Sequence, residues 1–233
     1  MFRIIQLFFL LSTIISANEQ IILVIADDFN STKAKLYTFE KKDARYHKVF
    51  ETFDVNLGRN GLGWGIGIAD IKHNKNSPVK YEGDGRAPAG VFFLGSAFGY
   101  KKRLNTDLKY IYADKDLICI DDSSNKNYNK ILHVKDKSEI ESFEYMRRDD
   151  NLYEMGIVVK HNTQSVAKRG SCIFLHIQKS EDSPTSGCTS MSKENLLKLI
   201  EWLDIDKEPL LIQLPKDIVK SVLEDMKVDI KLY

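Results

Sequence analysis

Cys188 and His176 carry the chemistry that this sequence offers most clearly. Cys188 follows Gly187 in the turn Pro184-Thr185-Ser186-Gly187-Cys188, and Ser192 opens an apolar-periodic helix just beyond it. His176 lies near the end of the short apolar run Cys172 to Ile177, whose length and β-branched and aromatic content suit a buried strand. A thiol between a glycine and a helix start, with an imidazole at a strand end upstream, is the layout of an activated nucleophile. The glycine allows close backbone approach, the amides near the helix start favour an anion, and the imidazole takes the thiol proton. A free cysteine has a pKa near ~8.5, so a histidine within roughly 3 to 4 Å is expected to hold the proton and stabilise an ion pair. The backbone N–H groups of Gly187 and Cys188 are the expected oxyanion hole.

His176, the spacer and Thr185-Ser186-Gly187-Cys188 resemble the active-site signature of the L,D-transpeptidases of bacterial peptidoglycan. Arg86-Ala87-Pro88-Ala89-Gly90-Val91-Phe92 is similar to the Thr-Pro-x-Gly-x-Phe segment of that family. Asn56 to Gly67 resembles the glycine-rich stretch of a secreted subgroup, and the likeness runs from Leu57 to Leu203. Ser186 stands where many members have a second histidine, Ser190 stands where they have arginine, and the spacer is short. The resemblance implies attack by Cys188 on the bond before the terminal D-alanine of a stem peptide, through a thioester and with His176 as base. Peptidoglycan stem peptides, and an amine on a second stem or a wall-attached protein, are the implied partners. Thr185, Ser186, Arg86, Trp64 and His161 are the implied substrate contacts, with His161 or a backbone carbonyl as third group behind His176. An L,D-carboxypeptidase, a hydrolase releasing peptidoglycan-attached protein, and a non-catalytic wall-binding module are the alternatives. No cofactor or metal is required.

Along the chain, Gln20 to Ala26 reads as a first strand, and Lys35 to Glu40 with Tyr46 to Asp54 as a hairpin with one solvated face. Asn56 to Gly67, dense in glycine around Trp64, reads as a loop or irregular strand where backbone packs closely. Lys72 to Gly90 reads as loop, with Glu82, Asp84 and Arg86 on a charge-mixed turn. Lys109 to Ile120 and Gly156 to Lys160 read as strands, and Asp121 to Asn125 as an Asx-rich turn. Ser138 to Asp149 fits a short helix, with Ser138 and Glu141 as a capping box. Ser192 to Asp204 and Asp217 to Met226 read as amphipathic helices flanking a strand over Pro209 to Leu214. Many short strands and few helices, together with the resemblance, give the expected fold: α+β, one domain over residues 18–233, on a β-sandwich-like mixed sheet.

The chain has 34 basic and 33 acidic side chains, a balance that argues against a dedicated nucleic-acid binder. Met1 to Ala17 has one positive charge, an apolar centre and small residues before the polar Asn18, the pattern of a cleaved secretory signal. Its apolar core is short for a transmembrane span, so the expected setting is the periplasm or cell envelope. Three cysteines leave at least one unpaired in an oxidising compartment. With Cys188 free, Cys119 and Cys172 read first as buried thiols, and as a disulfide in the alternative.

Overall fold

The computed structural model describes residues 18–71 and 73–231, so the expected signal, Met1 to Ala17, lies outside the described residues. Strand β1 (Gln20–Ala26) is almost wholly buried, as its uninterrupted apolar run requires. It pairs in parallel with β14 (Leu210–Pro215) and antiparallel with β2 (Lys33–Lys42). From β14 the sheet runs through β6 (Ala87–Gly99), β11 (Met155–Val159), β12 (Phe174–Ile177), β13 (Thr189–Met191) and β4 (Phe53–Asn56) back to β2. The β1–β2 pairing therefore closes the ring. The β-rich core is as expected, but the sandwich is corrected to a barrel-like closed sheet with two α-helices among the described residues.

β3 (Arg45–Lys48) hangs on β2, and β5 (Leu62–Trp64) and β7 (Tyr110–Tyr112) flank β6. The expected Tyr46 to Asp54 strand is thus two pieces, β3 and β4, broken between Lys48 and Phe53. Helix α1 (Lys193–Trp202) buries Leu196, Leu199 and Ile200. Its N-cap Ser192 accepts the Asn195 N–H at 3.2 Å on its Oγ. Helix α2 (Lys216–Asp225) turns Val219, Val222 and Leu223 inward after β14.

A second, three-stranded sheet is built from β8 (Leu117–Ile120), β9 (Ile131–His133) and β10 (Phe143–Tyr145). The helix expected over Ser138 to Asp149 is absent: β10 lies in its place, with Glu144 opposite Cys119 on β8. The capping box does not form, since the Ser138 amide bonds Asp136 Oδ1 at 3.0 Å. A helix this short is marginal alone, and of its apolar residues only Met146 becomes fully buried. The edge of β8 offers the backbone a full set of partners instead.

Cys119 on β8 and Cys172, just before β12, form a disulfide, correcting the reading of two buried thiols. Both lie in one apolar cluster with Phe98, Phe174 and Cys188. The bond staples the small sheet to the strand that carries His176. The non-reduced, denatured chain is therefore expected to titrate one thiol, and the reduced chain three. The bond closes a sequence separation of 53 residues, so reduction is expected to lower unfolding free energy in urea by roughly 2–4 kcal/mol.

Candidate active site

The nucleophile turn is held on both flanks by backbone. Thr185 N–H donates to Leu57 O and Arg59 N–H to Thr185 O, each at 2.8 Å. Gly58 runs beside Thr185, and a Cβ on Gly58 would sit 2.3 Å from Gly85 O. The glycine-rich stretch therefore clamps the turn, a role that its composition alone did not specify. Within the turn, Thr185 Oγ1 donates to Cys188 O at 2.6 Å and accepts the Gly187 N–H at 3.1 Å. That second bond occupies one of the two amides expected in the oxyanion hole and leaves the role to Cys188. Gly187 has φ +151°, a region where a side chain is strained.

Strand β13 continues from the turn and pairs in parallel with β12, placing Ser190 opposite His176. His176 and Cys188 thereby line one cleft of about 430 Å³, together with Thr185, Ser186 and Gly187. Cys188 Sγ accepts the Phe174 N–H at 3.3 Å and lies 3.5 Å from Cys172 O. Burial pushes the thiol up to about 12, the Glu144 charge adding to the rise, while the Phe174 amide and the Lys80 charge pull the other way. Burial likewise lowers His176 to about 4. The resting pair is a neutral thiol and a neutral imidazole, which corrects the expected ion pair: the apolar surroundings disfavour both charges.

The imidazole is oriented from behind. His176 Nδ1 lies 2.8 Å from Ile177 O, and because a carbonyl only accepts, Nδ1 carries the proton. Nε2 is then the nitrogen left free to accept a proton. The Tyr153 ring meets the imidazole edge-on at 5.2 Å between centroids. Its hydroxyl donates to Glu144 Oε2 at 2.8 Å. Burial pushes the Glu144 carboxyl up to about 7 against that hydrogen bond, with the Asp121 charge adding to the rise. Tyr153 and Glu144 were not singled out in the sequence. Glu144 lay inside the expected helix, and nothing local marks Tyr153.

Three sequence candidates lie off the cleft wall. Arg86 Nη1 donates to Leu62 O at 2.8 Å and Phe29 O at 3.2 Å, so its guanidinium ties backbone rather than substrate. Trp64 is buried against Phe29 and stacked on His73. His161 is buried on Phe92, with Nε2 donating to Arg169 O at 3.0 Å and Nδ1 accepting Ile66 N–H at 3.3 Å. Both of its nitrogens are occupied, and burial lowers its pKa to about 4. All three hold the loops that shape the cleft.

No protein-family profile matches the chain, and no curated protein matches it. Among solved structures it is similar to the helical cell shape determining protein Pgp2 from Campylobacter jejuni. The TM-score is 0.41 and the identity 13%, over 88% of this chain and 54% of that one. The chain thus spans about half the length of that protein.

Two measurements check the electrostatics. Alkylation of Cys188 in the folded protein is expected to be slow at pH 7 and to rise with a midpoint well above that of a free thiol; a rate already at its plateau at pH 6 would contradict a neutral pair. His161 and His176 stay neutral in the folded chain down to about pH 4, whereas unfolded imidazoles protonate near 6.5. Between those values the unfolded chain binds more protons, so their contribution to stability falls as pH drops. The loss is on the order of 3 kcal/mol per histidine at pH 4. Imidazole nitrogen shifts of two neutral rings at pH 5 are the expected signature.

Proposed function

We propose that the protein is a cysteine acyltransferase of the L,D-transpeptidase type acting on peptidoglycan stem peptides. The observation that carries this reading is the placement of His176 on β12 and of Cys188 directly before the parallel neighbour β13, both lining one cleft, with the Nδ1–H of His176 tied to Ile177 O. That tie presents Nε2 as a base and leaves the thiol as the nucleophile. The motifs around Arg86 and in the glycine-rich stretch support the family, since both lie against the nucleophile turn: a Cβ on Gly187 would be 3.1 Å from Arg86 O.

Because thiol and imidazole rest neutral, activation is general-base catalysis at the moment of attack rather than a standing thiolate. As Cys188 Sγ bonds to the carbonyl carbon before the terminal residue, His176 Nε2 takes its proton. The carbonyl oxygen gains the charge, and the Cys188 N–H is the backbone donor left to meet it. The imidazolium then protonates the leaving amine as the tetrahedral species collapses to a thioester. An amine acceptor gives a crosslink or an attached protein, while water gives the carboxypeptidase product; the same residues serve both. The Cys119–Cys172 disulfide supports an exported, oxidising setting.

Intact-protein mass spectrometry with a tetrapeptide muropeptide tests the reading. The wild type is expected to gain an acyl adduct that Cys188→Ala lacks. His176→Ala is expected to slow acylation by about 10²- to 10⁴-fold without loss of fold. No adduct and no turnover from folded, reduced-Cys188 protein would overturn the enzyme and favour the wall-binding module.

A further inference from the structure

The cleft contains a buried cation that the acylation chemistry does not use. Lys80 is 3% exposed, lines the cleft, and follows the bridge between Trp64 and Val79, with its N–H on Trp64 O at 3.0 Å. Its Nζ donates to Asp84 Oδ1 at 2.6 Å and to Tyr81 O at 2.8 Å. An ammonium has three donors, and two acceptors reach it among the described residues. Asp84 is shared: the same oxygen, Oδ1, accepts the Arg86 N–H, and Oδ2 accepts the Tyr81 N–H. Glu82, the other nearby carboxylate, is taken up by the hydroxyls of Tyr128 and Ser171.

Two glycines bring this ammonium to the nucleophile. A Cβ on Gly170 would lie 2.9 Å from Lys80 Cε, and one on Gly187 would lie 3.6 Å from Nζ. The charge is also felt at Cys188, where it favours the thiolate. Arg59, Arg148 and Lys179, the other cations on the cleft wall among the described residues, are exposed. Arg148 is further committed to both oxygens of Asp150. Ser190 offers no charge where the resemblance would place a basic residue.

We infer that Lys80 binds the free carboxylate of the residue that leaves, so that the enzyme selects donors cut one residue from a C-terminal acid. This rests on the proposed function for the identity of the donor. Nζ sits beside the residue preceding Cys188, and a terminal carboxylate lies about one residue length, ~3.8 Å, beyond the attacked carbonyl. A charge-assisted hydrogen bond from the third donor of that ammonium to a carboxylate is worth more than one to a neutral amide. Lys80 would therefore set specificity, while His176 and Cys188 perform the bond changes.

The test is calorimetric titration of the Cys188→Ala protein with a synthetic stem tetrapeptide and with its C-terminal carboxamide. The acid is expected to bind about 10- to 100-fold more tightly than the carboxamide, and Lys80→Met added to Cys188→Ala is expected to collapse that ratio to within about threefold. Equal affinities for acid and carboxamide with Lys80 present would overturn the inference. So would a ratio that persists without Lys80, which would mean that another group reads the carboxylate. Lys80→Gln, which keeps a polar head toward Tyr81 and Asp84, repeats the measurement if the methionine variant does not fold. The binding ratio does not depend on turnover: a wild type without adduct overturns the enzyme, while the ratio still decides the role of Lys80.

Discussion

The parallel pairing of β12 with β13 is the contact on which the candidate site depends. Parallel neighbours usually need a crossover of about a dozen residues or more, commonly with a helix. Here the connection is only Gln178 to Cys188, and it carries no helix. Such a loop cannot hold its own shape, so it borrows contacts from elsewhere in the chain. Asn56 Nδ2 donates to Ser180 O at 3.1 Å, and Leu57 and Arg59 fix Thr185 through backbone bonds. The short spacer and the glycine-rich stretch are two halves of one solution.

Burial then sets the chemistry. A thiol packed with Phe174 and the Cys119–Cys172 bond, and an imidazole packed on Tyr153, lie where burial disfavours a charge. The site rests neutral, and in the proposed reaction charge develops only as the thiol attacks. The polar groups that remain in the cleft are divided. Glu144 and Asp121 gather toward the small sheet, whereas Lys80 lies against Gly187.

The small sheet ties these parts together. Its strand β8 supplies Cys119 to the disulfide and pairs with β10, which presents Glu144 to Tyr153. Loss of the disulfide would therefore loosen the segment before β12 and the wall that Glu144 belongs to. Three residues read from the sequence as contacts act at one remove from the cleft instead. Arg86, Trp64 and His161 fasten the loops behind the nucleophile turn.

The strands with uninterrupted or alternating apolar runs, β1, β2, β12 and β14, are legible from residue order, because burial of those residues admits few arrangements. So is helix α1, whose apolar stripe and Ser192 cap are local signals. Cys188 and His176 are candidates legible without partners, as a thiol after glycine and a histidine at a strand end, and the fold puts them in one cleft. Tertiary structure alone decided the rest. Ring closure depends on β1 meeting both β2 and β14, which lie far apart in the chain. The segment around Glu144 chose β10 over a helix because the edge of β8 was there to pair with it. Tyr153 and Lys80 reach Cys188 only across the fold, and the protonation of Cys188 and His176 follows from a burial that no local pattern encodes.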